Sequence, residues 1–403
     1  MNPPPLLLLQ GFNFLVGCGS FLAALVALAT WNRAGWSESS IGLGTTIGML
    51  CYALVVYIGG QLSDRWGRAR TAACGATLAA IGSAIAAWNP TGQTALIASM
   101  AGFAGSALFF PGNVGLFSDA QAGHGAKPLP LHVKISRYNL GWSLGNLAGF
   151  VGYAVLDDKP ASVGFTIAAG AFALTALWMC RWLRLPAAPP QPEGDRAPHP
   201  ALPALTLIGR TALLLACILT MAVITLLQTA LQQQGFDPVT AQSWAGKTLM
   251  VYSCCYVVMF ILFGWWSGWI MRPWRLAALQ GFFVIGSGGF LVLGWLGWLT
   301  PWTLAVCGGC LGIGFASAYV SSIYYSLRLP HGAARAAALH ETFLGIGNTC
   351  GPVLAGLALG AWTDSTGKSP VAGLGAWMLI IALVLMGWQI LMAPRAVRAG
   401  ATG

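Results

Sequence analysis

The reading of this chain turns on eleven residues, Gly60-Gln-Leu-Ser-Asp64-Arg65-Trp-Gly67-Arg68-Ala-Arg70. Asp64, Arg65, Arg68 and Arg70 stand close together in a chain of which only 7% is charged. Long apolar runs flank them, roughly residues 41–62 and 70–88. So dense a run of charge is too costly in hydrocarbon, so the stretch is expected as a tight, water-exposed turn between two membrane helices. Glycines at 60 and 67 permit a sharp reversal. The three arginines mark the cytoplasmic side.

The rest of the chain has the composition that this turn requires. Of its 403 residues 57% are hydrophobic, and the mean hydropathy is +0.71. A water-soluble fold could not bury that much apolar surface. Apolar runs of about 18 residues or more recur throughout, as in a polytopic helical membrane protein. The net charge of +10 carries no nucleic-acid signal, because the basic residues fall in alternate loops. The ten cysteines lie mostly inside apolar segments and lack histidine partners at zinc spacing, so they read as small packing residues and no metal is expected. The apolar run after Met1-Asn-Pro-Pro-Pro, from Leu6 to Trp31, lacks a positive leader and is too long for a cleaved signal. It is expected to be the first membrane helix.

Hydropathy predicts twelve spans, at roughly 6–31, 41–62, 70–88, 93–117, 133–156, 162–184, 206–233, 241–267, 274–298, 301–327, 337–362 and 370–393. An even number puts both termini on one side. Arg65, Arg68, Arg70, Lys127, Lys134, Arg181, Arg184, Arg272, Arg275, Arg328 and Arg395 share that side, whereas the opposite loops carry only Arg33, Lys159 and Lys368, with acids nearby. Both termini are therefore expected in the cytoplasm. A proline-rich stretch beginning Pro186-Ala-Ala-Pro-Pro-Gln-Pro reads as a semi-extended linker. It divides the chain into a first six-helix half (1–185), a cytoplasmic linker (186–205) and a second six-helix half (206–403).

The halves read as copies. Gly60-x-x-Ser63-Asp64-x-x-x-Arg68 recurs, worn, as Gly264-x-x-Ser267-Gly268-x-x-x-Arg272, a displacement of 272 − 68 = 204. Gly145-Asn146-x-x-Gly149 recurs as Gly347-Asn348-x-x-Gly351, a displacement of 347 − 145 = 202. Two matches at nearly one offset indicate an internal duplication, a recurrent plan of secondary transporters.

The pattern Gly-x-x-x-Asp-Arg-x-Gly-Arg-x-Arg resembles the signature loop between the second and third helices of the major facilitator superfamily. With it agree the six-plus-six arrangement and the linker. The resemblance implies an all-α membrane protein of twelve transmembrane helices in two pseudo-symmetric halves. It implies a secondary active transporter, working by alternating access around a midplane cavity lined mainly by the first and fourth helices of each half. Gly60, Asp64, Arg65, Gly67 and Arg68 would form its conformational signature loop. The second copy has Gly268 in place of the acid. Gly347-x-x-x-Gly351-Pro352 resembles the antiporter signature of drug exporters, but in the fifth helix, where that signature belongs, Gly149 is followed by Phe150.

Polar residues inside spans point to a pathway, because each is costly without a partner or water. Asn13, Asn113, Asn139, Gln228, Lys247, Tyr319 and Tyr324 are the candidate cavity residues. Arg137, His340 and Glu341 are the candidate gate or coupling groups. Arg137 and Glu341 each stand about a turn before a repeated Gly-Asn segment, and Glu341 is the acid placed clearly within a span. Each has a plainer role open to it: snorkelling for Arg137 and Lys247, a helix N-terminal carboxylate for Glu341, an interfacial position for His340, a lipid-facing belt for the aromatics.

Gly141-Trp-Ser143-Leu-Gly145 matches a hydrolase elbow in letters only, since it lies within a membrane helix. No phosphate-binding loop is present, so neither an enzyme nor direct ATP coupling is expected, and no cofactor. The expected partners are a small organic solute, protons as candidate coupling ion and the bilayer, with no nucleic acid and a monomeric chain. The expected place is a bacterial inner membrane. Aromatic richness favours an exporter of amphipathic compounds. Arg137 and Lys247 favour instead an organic anion such as a carboxylate. A receptor or assembly factor that kept the fold and lost transport is the rival of another class.

Overall fold

A computed structural model describes residues 4–122, 129–156, 159–184, 199–329, 333–366 and 369–401. The described residues form thirteen α-helices and one turn of 3-10 helix, with no strand. They are α1 (Leu6–Arg33), α2 (Glu38–Trp66), α3 (Arg68–Trp88), α4 (Gly92–Ala122), α5 (Leu131–Val155) and α6 (Ala161–Met179), followed by α7 (Leu202–Gln233), α8 (Pro238–Trp265), α9 (Pro273–Gln280), α10 (Phe282–Leu296), α11 (Pro301–Ser326), α12 (Ala333–Thr366) and α13 (Pro370–Ala401). Eleven described segments are long and apolar enough to cross a bilayer, with α9 and α10 counted as one. The all-helical membrane fold is thus as the sequence implied, and its elements begin where local chemistry starts a helix. Proline fills the first turn of α7, α8, α9 and α11, where a missing N–H costs nothing. Asp237 caps α8 by accepting from the amides of Val239 and Thr240 at 3.1 and 3.0 Å. Bonds from the Thr240 side chain and amide hold its carboxyl below the usual carboxylate range.

Three details differ from the sequence reading. The expected span 274–298 is two helices broken at Gly281. Residues 185–198 of the linker region lie outside the described residues, and α7 begins at Leu202, within the expected linker. The expected span 133–156 is α5, a full helix that falls short of the apolar content of the other spans.

The chain clusters into two compact units, Met1–Trp36 with Ile47–Pro192, and Ser37–Thr46 with Glu193–Gly403. In the first, α1 packs on α4, α5 and α6, and α3 on α4 and α6. In the second, α7 packs on α11, α12 and α13, and α10 on α11 and α13. The same glycines make the equivalent seams. A methyl group at Gly145 would sit 2.2 Å from the Phe14 carbonyl oxygen, and one at Gly347 would sit 2.5 Å from that of Leu214. A turn further on, a methyl group at Gly149 would sit 3.0 Å from the Cys18 carbonyl oxygen and one at Gly351 would sit 2.6 Å from that of Ile218. Glycine here lets backbones touch, the commonest way for helices to associate in lipid. The ring pairs repeat as well: Phe117 meets Tyr138 at 5.9 Å, and Tyr319 meets His340 at 4.7 Å, both members shifted by 340 − 138 = 202.

The signature stretch proves almost wholly helical. α2 runs to Trp66 and α3 starts at Arg68, so Gly67 alone makes the turn, at φ 101° and ψ 139°. That backbone is open to glycine and to little else. Arg65 is exposed and Gly60 has open space beside it; Asp64 lies in helical backbone, and its side chain is outside the described residues. Arg68 Nη1 donates to the Gly115 carbonyl of α4 at 2.8 Å, and Arg70 Nε to the Leu183 carbonyl beyond α6 at 2.9 Å. The turn is therefore tied to two other helices of its own unit.

The residue equivalent to Gly67 at the displacement of 204 is Met271, and it too has positive φ, 58°. An L-residue with a long side chain is strained there by about 1–2 kcal/mol. Met271→Gly is expected to raise stability by about 1 kcal/mol, and Gly67→Ala to lower it by about 1–3 kcal/mol. Thermal unfolding in detergent measures both; equal and negligible shifts would contradict this account of the two turns.

Candidate functional site

In the first unit the sequence places three amides on helices that converge. Asn13 lies on the second turn of α1, Asn113 near the end of α4 and Asn139 on α5. Pro111 interrupts the α4 hydrogen-bond ladder two residues before Asn113. Asn13 and Asn113 are both 0% exposed. Asn113 Nδ2 donates to Asn13 Oδ1 at 2.6 Å and to the Leu9 carbonyl at 3.3 Å. One bond between two amides leaves one donor and one acceptor over. Asn13 Nδ2 and Asn113 Oδ1 have no partner among the described residues. Asn139 Oδ1 accepts from Trp142 Nε1 at 3.1 Å, and its Nδ2 is likewise unpartnered. Such atoms cost about 1–3 kcal/mol each when buried bare, which is why natural examples mark waters or ligands.

In the second unit an aromatic wall runs along α8 and α11. Tyr252, Tyr256 and Phe260 are spaced by four on one face of α8. Tyr252 meets Tyr256 at 5.1 Å, Tyr256 meets Phe315 at 5.8 Å, and Tyr319 meets both Phe260 at 5.7 Å and His340 at 4.7 Å. Beside it Thr220, Val223, Thr248, Tyr252, Gly308 and Leu311, among others, close around a crevice too narrow to hold a water molecule. Two threonines and a tyrosine place hydroxyls among its apolar lining, and the crevice is closed to solute as it stands.

His340 ends that wall. It is 0% exposed, with Nδ1 at 2.9 Å from Ser322 Oγ of α11 and Nε2 unpartnered among the described residues. Arg210 Nε of α7 donates to Ser326 Oγ at 3.1 Å. Its Nη2 is buried and has no partner among the described residues.

The other candidates fall elsewhere. Arg137 is exposed; its backbone carbonyl accepts from Gln10 Nε2 at 3.1 Å. Lys247 is exposed on α8. Gln228 and Glu341 are half-buried, each engaged with a neighbour. Tyr324 is buried in a separate box, against Trp269 at 4.9 Å and under the Arg328 guanidinium at 4.9 Å. The residue that sequence reasoning passed over is Arg210. It stands inside the expected seventh span, and the test that singled out Lys247, a cation within a span, also selects it. The four-residue spacing of Tyr252, Tyr256 and Phe260 was likewise legible.

The family model described as Major Facilitator Superfamily matches residues 9–352. Among solved structures, the nucleoside transporter NupG is similar at TM-score 0.64 and 15% identity, covering 98% of each chain. A NupG point mutant is similar at 0.65 and 15%, covering 98% of this chain and 99% of that one. A bacterial homologue of the human lysosomal transporter Spinster, in an inward-facing and occupied conformation, is similar at 0.60 and 15%, covering 99% and 96%. No curated protein matches the sequence.

The amide pair yields a test that separates folding from function. Asn13→Leu alone leaves Asn113 with a bare buried amide and is expected to cost about 1–3 kcal/mol. Asn13→Leu with Asn113→Leu removes both polar groups and is expected to restore most of that stability, while solute flux stays lost. A stable double variant with full flux would remove the pair from the site.

Proposed function

Since the chain belongs to the major facilitator superfamily, and is on that ground a secondary transporter in a lipid bilayer, we propose that it carries an amphipathic small organic solute, in the direction of export, from a bacterial inner membrane with both termini in the cytoplasm. The observation that carries the solute class is the wall of Tyr252, Tyr256, Phe315 and Tyr319, with the hydroxyl-bearing side chains of Thr220 and Thr248 beside it. Such a lining stacks on an apolar or aromatic body and fixes it with few hydrogen bonds. Asn13, Asn113 and Asn139 supply open amide donors and an acceptor in the other unit. Alternating access would expose these groups to one side of the membrane at a time. We assign coupling by protons to Glu341, half-buried on α12, and give the turn at Gly60–Arg70 the conformational role that its family likeness implies.

The reading is tested on purified protein in proteoliposomes. A thermal-shift screen against amphipathic and fully polar solutes should find stabilisation by the former, rising with occupancy. The hits should then cross the membrane only where the protein is present. Tyr252→Leu should raise the half-saturation concentration of a hit about 10-fold, the loss of one aromatic contact of about 1.4 kcal/mol. Flux confined to fully polar solutes would reject the proposed class.

A further inference from the structure

Two buried nitrogens in the second unit, His340 Nε2 and Arg210 Nη2, lack a partner among the described residues, and one face of α11 holds both side chains. Ser322 and Ser326 are four residues apart, one turn, a rise of about 6 Å. Ser322 Oγ lies 2.9 Å from His340 Nδ1, and Ser326 Oγ accepts from Arg210 Nε at 3.1 Å. α7 and α12 thus each lay one side chain on the same stripe of α11, a turn apart. With the Ser322 hydroxyl donating to Nδ1, the neutral imidazole carries its proton on Nε2. Arg210 Nη2 is a donor in every state. Two donors cannot satisfy each other, and neither atom has a partner among the described residues. His340 is wholly buried, and Tyr319 closes its ring edge-to-face at 4.7 Å.

Arg210 is half-buried, and a guanidinium nitrogen cut off from water is costly unless an acceptor accompanies it. Glu341 follows His340 directly, but neighbouring helical residues point about 100° apart, and Glu341 is engaged with a neighbour of its own. The cations that sequence had singled out, Arg137 and Lys247, are both exposed. We propose that Arg210 and His340 form a carboxylate-binding subsite: Arg210 Nη2 donates to one oxygen and His340 Nε2–H to the other, with Tyr319 against the attached apolar body. This rests on the transporter reading and narrows its solute to an amphipathic carboxylate. Planar guanidinium is the side chain best matched to that group.

The test uses the full chain in detergent, with benzoate as probe and benzamide as its neutral counterpart. Benzoate should raise the thermal midpoint saturably and benzamide should not. Arg210→Gln and His340→Gln should each weaken benzoate binding about 10- to 100-fold, the range for a hydrogen bond to a charged group. Ser326→Ala frees Nε yet keeps the charge, so it should weaken binding less than Arg210→Gln. It also serves, with Arg210→Lys, if Arg210→Gln does not fold. Equal response to benzoate and benzamide, no response to benzoate, or benzoate binding unchanged in these variants would overturn the subsite. Flux of other solutes persisting in that case would leave the transporter reading standing. Benzoate bound through Arg210, with no flux of any solute, would overturn the transporter reading and keep the subsite.

Discussion

An amide or carbonyl bare in hydrocarbon costs several kcal/mol, and that penalty organises this molecule more than any side-chain contact. It forces the backbone to stay helical up to the last residue before a reversal. Gly67 shows the limit: one residue outside helical geometry joins α2 to α3. It also decides how helices attract each other. With lipid as apolar as leucine, association relies on close backbone approach, so Gly145, Gly149, Gly347 and Gly351 sit at the seams where α5 meets α1 and α12 meets α7.

Under the same penalty, polar side chains inside a unit become informative. The amides of Asn13, Asn113 and Asn139 and the donors on His340 and Arg210 are buried and incompletely satisfied. Purely structural polar groups tend to close their networks, as Ser317 and Ser321 do on carbonyls of their own helix. Single unsatisfied atoms also occur on α3, α10 and α13, as at Ser83, Ser287 and Gln389, but the amides of α1, α4 and α5 and the pair on α7 and α12 are the groups that a polar solute could complete. The two units differ in kind: neutral amides in one, an aromatic wall ending in imidazole and guanidinium in the other.

Much of the fold was legible because its signals are long. An apolar run of twenty residues has few other readings, and repeated Gly-Asn segments at one displacement announced two copies. Shorter signals misled or stayed silent. The break at Gly281 carries no proline, and apolar residues continue on both sides. The depth of His340 depends on Tyr319 and Ser322 covering it from α11, which no local pattern encodes. Lys247 and Arg210 look alike as cations within apolar runs; one points outward and the other packs on Ser326, and only tertiary packing tells them apart.

The polarity of α5 has a consequence for how the chain is made. α5 falls short of the apolar content that each of the other spans offers for partitioning from an aqueous protein-conducting channel into lipid. Its glycine face is complementary to α1, whose Phe14 and Cys18 carbonyls it touches, and α1 has been synthesised about a hundred residues earlier. Entry of α5 into the bilayer is then a docking event rather than a partitioning event. The chain acquires its fifth span only once α1 is in place to receive it, so insertion and folding become a single step at that point of synthesis.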